Sequence, residues 1–119
     1  MPSKTKSIWL SYDFGLRGNY SGLFTFLDNH GAIDCGNNLA YFKYSNNESL
    51  KSEDLIEKLK NELKEAISPT GNDRIYVIWR NDDNPITSVK GKFIFGNRKA
   101  SVWNGYATKD NKDQEEEAI

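Results

Sequence analysis

The chain has 119 residues, with 16 Lys and Arg against 17 Asp and Glu for a formal net charge of −1. That length fits one domain able to bury a full core, so neither a disulfide nor a structural metal is needed for stability. A single cysteine, Cys35, excludes an internal disulfide; with His30 as the only histidine, no Cys/His set has zinc-ligand spacing and the common nucleophilic triads are nearly excluded.

The first element is "SIWLSYD", where Ile8, Leu10 and Tyr12 alternate with Trp9, Ser11 and Asp13. A period of two predicts a strand that buries one face more than the other. Its apolar run is broken by Ser11 and Asp13, too short for a membrane span or a signal-peptide core, so a cytoplasmic protein with no membrane contact is expected. "NYSGLFTFLDNHG" sets Tyr20, Leu23, Phe24 and Leu27 at helical spacing, with Asn19 or Ser21 as N-cap and Gly31 as a left-handed stop. "AIDCGNNLAYFKYS" reads as a hairpin with arms Ala32 to Cys35 and Leu39 to Tyr44, which places Cys35 in a strand as a buried, inert thiol.

"SEDLIEKLKNELKEAIS" carries the strongest pattern: Leu55, Ile56, Leu59, Leu63, Ala66 and Ile67 form one apolar stripe, and Ser52 is the expected cap. "RIYVIWR" is a near-continuous apolar run, predicting a strand buried on both faces near the sheet centre. After the turn "NDDNP", the segment "ITSVKGKFIFG" predicts a last strand at a sheet edge, with Gly91 marking a bulge. From Thr108 the tail holds two lysines and five acids, and its polarity predicts disorder; residues 1–107 then carry a net charge of +2. The order strand, helix, two strands, helix, strand, with one strand added, predicts an α+β ferredoxin-like βαββαβ domain over 1–107, an antiparallel sheet with both helices on one face. The uncovered face of such a sheet makes a homodimer the expected assembly.

Asp13 falls at the end of a central strand, beside the loop "FGLRGN". Two readings of it stand: a carboxylate that, with its counterpart in a second subunit, shares a divalent metal, Mg2+ or Mn2+, and activates water for phosphodiester cleavage, or an Asx-type residue bonding backbone N–H groups of its own loop. Asp34 and Asp73 join such a metal site only if the fold brings them there. Arg17, in the same loop, reads as a phosphate contact or as the ion-pair partner of Asp13. Asn84 to Ala107 holds Lys90, Lys92, Arg98 and Lys99 with no acid, interleaved with Phe93, Phe95, Trp103 and Tyr106. Cations neutralise phosphates and aromatic rings stack on unpaired bases, so this mixture suits a nucleic-acid surface; it equally suits an edge strand whose lysines deter aggregation. Trp103 and Tyr106 folding back over the open sheet face is a further reading of the same residues. His30, before Gly31, reads as a helix cap.

"WLSYDFG", "GAIDCGNNLAYFKY" and "NDRIYVIWR" together resemble the ferredoxin-like superfamily of the small CRISPR spacer-adaptation protein, with its VapD-type toxin and GhoS-type antitoxin relatives. The likeness covers about residues 7–80. It implies a homodimer that handles nucleic acid, RNA or DNA, and in some members metal-dependent endoribonuclease cleavage by the aspartate that Asp13 matches. The competing expectation is a non-enzymatic antitoxin or adaptor whose protein partner docks on the sheet edge or on Lys90 to Tyr106.

Overall fold

A computed structural model describes residues 4–81 and 88–107; the expected turn beyond Asn81 and the acidic segment from residue 108 lie outside the described residues. The elements are β1 (Thr5–Asp13), α1 (Tyr20–Asn29), β2 (Ile33–Asp34), β3 (Leu39–Ser45), α2 (Ser52–Ile67), β4 (Arg74–Asn81) and β5 (Ser88–Phe95). The sheet runs β2-β3-β1-β4-β5 with every neighbouring pair antiparallel. This is the ferredoxin-like arrangement with an added C-terminal strand, and both helices lie on one face.

The pleat decides which residues meet the helices. Ile8 and Leu10 of β1, Phe42 and Tyr44 of β3, and Ile75, Val77 and Trp79 of β4 are buried under α1 and α2. Against them α2 sets Leu55, Ile56, Leu59, Leu63 and Ile67, all essentially inaccessible. Each such side chain stabilises the fold by about 1.5–3 kcal/mol relative to exposure. The helices approach closely at Gly22, where a Cβ would lie 2.2 Å from the Ala66 carbonyl oxygen. Asn19 caps α1, its Oδ1 accepting from the Gly22 N–H at 2.8 Å.

Four local expectations are corrected. Ser52 is the first residue of α2 rather than its cap; Lys51, in extended backbone, takes the cap position and its carbonyl accepts the first helical bond from Leu55. β2 is only two residues long, because Gly36, Asn37 and Asn38 all adopt positive φ and turn the chain at once. Cys35 therefore sits in that turn and is exposed. The irregularity in β5 lies at Ile94, not Gly91: Tyr76 pairs with Phe93 and Ile75 with Phe95, and the extra residue between them drops into the core.

β1 is the middle strand, as expected, and β4 lies inside the sheet beside it, between β1 and β5. His30 is the C-cap of α1; its Nδ1 donates to the Phe26 carbonyl at 2.8 Å and its ring stacks on Phe26. Among the described residues no helix is long and apolar enough to cross a membrane.

Candidate functional site

The sheet face opposite the helices carries a pattern set by register. Ile33, Tyr41, Trp9, Ile78 and Gly91 form one cross-strand row, and Leu39, Ser11, Tyr76 and Phe93 the next. Two ring pairs result. Trp9 lies 4.9 Å from Tyr41, whose hydroxyl is held by Ser7 Oγ at 2.8 Å, and Tyr76 lies 4.8 Å from Phe93 in an edge arrangement. Gly91 makes room for this second pair: a Cβ there would meet the Tyr76 hydroxyl at 2.5 Å.

Cations bound this apolar band at both ends. Lys43 and Arg80 occupy the same face beyond Tyr41 and Ile78. Arg74 and Arg98 lie at the other end, the Arg98 guanidinium 5.3 Å from the Phe93 ring centre and 5.5 Å from that of Tyr76, and Arg74 at 5.8 Å from Phe93. Cation–π attraction of about 0.5–1 kcal/mol per exposed contact holds the two guanidiniums over the rings. Gly96 makes the placement of Arg98 possible: at φ +77° it turns the chain where a Cβ would lie 2.6 Å from Arg74 Cγ.

Among the described residues, Asp13 is the one carboxylate on this face, and it is taken. Asp13 and Arg74 are cross-strand partners, and Arg74 Nη2 donates to Asp13 Oδ2. That hydrogen bond first of all, with the charges of Arg74 and Lys99, holds the Asp13 carboxyl below the usual carboxylate range against the opposing effect of burial. The loop-bonding role open to Asp13 belongs to Asp73 instead. Buried Asp73 accepts from the Gly15 N–H at 3.2 Å and the Thr70 N–H at 2.8 Å, tying the loop before α1 to the turn before β4.

Ser11, Asp13, Arg74, Tyr76, Phe93 and Arg98 line a hollow of about 220 Å³. A second hollow of about 410 Å³ shares Asp13, Arg74 and Arg98 and adds Lys99 with Asn72 and Asn97. Of the residues singled out from the sequence, Asp13, Arg98 and Lys99 thus come together. Lys90 and Lys92 do not join them: they lie on the helix side of β5, beside Glu53, Asp54 and Glu57 of α2. Arg17 is exposed in the loop after β1, and Trp103 and Tyr106 are largely exposed rather than packed over the open face.

Sequence reasoning missed Arg74, Arg80, Lys43, Tyr41 and Tyr76. The signal was present in "RIYVIWR", where Arg74, Tyr76, Ile78 and Arg80 alternate with Ile75, Val77 and Trp79. Reading the run as apolar throughout hid that alternation. No protein-family model matches this chain, and neither a curated protein nor a solved structure matches it.

Proposed function

We propose that this protein binds nucleic acid on the open face of its sheet, as the superfamily resemblance also implies. The observation that carries the proposal is the segregation of charge. Among the described residues the open face presents Lys43, Arg74, Arg80 and Arg98 against Asp13 alone, whereas on the opposite side Glu53, Asp54, Glu57, Glu62 and Glu65 of α2 are balanced by Lys58, Lys60 and Lys64 of the same helix and by Lys90 and Lys92 of β5. A polyanion is attracted to the first surface and meets mixed charge on the second, although the net charge of the chain is near zero.

A homodimer is part of the same proposal, with its contact away from this face. Face-to-face packing about a two-fold axis brings the four cations of one copy up to a face of the same charge, and the single carboxylate among the described residues of that face is already paired. The outer edge of β5, which no described strand pairs, offers a contact that leaves most of the open face free for ligand.

The donor set around Asp13 does not fit a divalent cation within one copy. Its carboxylate is bonded to a guanidinium with Lys99 close by, so a Mg2+ or Mn2+ ion there meets two positive neighbours and one shared ligand. Binding is therefore the function the geometry favours, and cleavage is a separate experimental question. The test is titration of labelled RNA and DNA strands at increasing salt, with and without magnesium or manganese, with the same mixtures run on a gel. The logarithm of the affinity is expected to fall with that of salt by about 0.7 per phosphate neutralised on a single strand. Arg98→Gln should lower that slope by about one such increment. Absence of binding at low salt would reject the proposal, and metal-dependent cleavage lost in Asp13→Asn would replace it with a nuclease.

A further inference from the structure

We infer that the ligand is a single strand whose unpaired bases stack on Trp9 and Tyr41 while its phosphates lie on the cations at the two ends of the band. This rests on the nucleic-acid reading above and names the strand state that the same face accepts.

The aromatic pair is placed for stacking rather than for folding. Trp9 remains 37% exposed and Ile33, in the same row, 59% exposed, on a face that no element of the described chain covers. Apolar surface left in water in one contiguous row marks a contact site. The rings are held ready: Ser7 fixes the Tyr41 hydroxyl, and Trp9 is braced by Tyr41 at 4.9 Å. A ligand base therefore meets faces whose ordering has already been achieved in folding.

Tyr76 and Phe93 differ from this pair. Arg98 already lies over both rings, so their part is to seat a guanidinium. The band is thus divided into a stacking half and a phosphate half. Arg74 and Arg80 lie six residues apart on β4, about 20 Å, with Ile78 and its neighbour Trp9 between them. A strand running along β4 can place phosphates at both ends and bases on the rings in the middle.

A duplex cannot use this arrangement. Its base faces are closed within the stack, so it would offer only charged backbone to Trp9, Tyr41 and Ile33. That contact removes water from phosphate groups without pairing them. A second copy of the chain, the other occupant a bare sheet face invites, meets the like-charge opposition of Lys43, Arg74, Arg80 and Arg98.

The experiment compares four probes of equal length on the intact protein: oligo-uridine, oligo-deoxythymidine, a mixed-sequence duplex, and an abasic strand that keeps the phosphates and lacks the bases. Both single strands are expected to bind at least tenfold more tightly than the abasic strand and the duplex. Trp9→Ala and Tyr41→Ala should each weaken single-strand binding by about five- to a hundredfold, the range for loss of one stacked base. Neither substitution should change the salt slope, since neither removes a cation.

Equal binding of the abasic strand, or of the duplex, would overturn stacking and leave the nucleic-acid reading standing. No binding of any probe at low salt would overturn both. A loss of dimer on sedimentation of Trp9→Ala, with single-strand affinity unchanged, would give the face to a second copy. Because the abasic comparison uses the unsubstituted protein, the inference stays testable even if Trp9→Ala fails to fold.

Discussion

The two faces of the sheet are built from the same strands, yet they meet different demands. On the helix side Ile8, Leu10, Phe42, Ile75 and Val77 lie under α1 and α2 and are almost wholly buried. On the other side Trp9, Tyr41, Tyr76 and Phe93 are bordered by cations and remain open to solvent or to a ligand. One face specifies the fold, and its composition is nearly all aliphatic or aromatic. The other combines rings with guanidiniums, a costly mixture to leave exposed unless something binds there.

The comparison is sharpest in stability. Leu59 is fully buried on α2, and Leu59→Ala is expected to cost about 2–5 kcal/mol through lost burial and the cavity left behind. Trp9→Ala removes a larger side chain that is 37% exposed, and it should cost less than Leu59→Ala in the same urea titration. Its main effect is expected on binding. Equal losses from the two substitutions would mean that the open face is covered in solution, and the contrast between the faces would fail.

Asp13 gives the next effect, and its sign is informative. Asp13→Asn removes the one negative charge that the described residues place on the open face and frees Arg74, so nucleic-acid affinity should rise a few-fold rather than fall. A metal-holding Asp13 predicts the opposite in cleavage. The pH dependence follows from the same pair. Because the Asp13 carboxyl titrates lower in the folded chain than its unfolded value of about 3.9, the pair's contribution to stability is complete above that value. It is lost as pH falls through the lower folded value, and Asp13→Asn should flatten that acid limb. An unchanged acid limb in Asp13→Asn, followed by chemical denaturation, would show that the ion pair contributes nothing in solution, as many exposed pairs do.

The fold was legible because its signals are local. The apolar stripe from Leu55 to Ile67 and the alternation in "SIWLSYD" each specify an element within a single segment, and their order specifies the sheet. The site was legible only in part, because it depends on pairing. Asp13 stands out alone, but its partner Arg74 lies 61 positions away and becomes a neighbour only through the β1–β4 register. Trp9 meets Tyr41 in the same way, across β1 and β3. The basic cluster of the C-terminal segment shows the converse error. Lys90, Lys92, Arg98 and Lys99 are close in sequence, yet the pleat of β5 and the turn at Gly96 send two to the helix side and two to the rim of the open face.

That division makes Lys90 and Lys92 the finest probe of the comparison, with the smallest expected effect. Both line one hollow with Glu53, Asp54 and Glu57 of α2, on the helix side of the sheet. The sheet separates them from a ligand on the open face, and at 0.1 M salt charges beyond about 10 Å are mostly screened. The double substitution Lys90→Gln, Lys92→Gln should therefore change single-strand affinity by less than about twofold at moderate salt and leave the salt slope unaltered. Stability should move by no more than about 0.5 kcal/mol, as for other surface changes without a packed or buried partner. A slope reduced by about 1.4, the increment for two phosphates on a single strand, would show that the nucleic acid wraps over the β5 edge to reach the helix side. In that case the two faces act as one binding surface, and the distinction between a folding face and a binding face would hold only for the strands from β2 to β4.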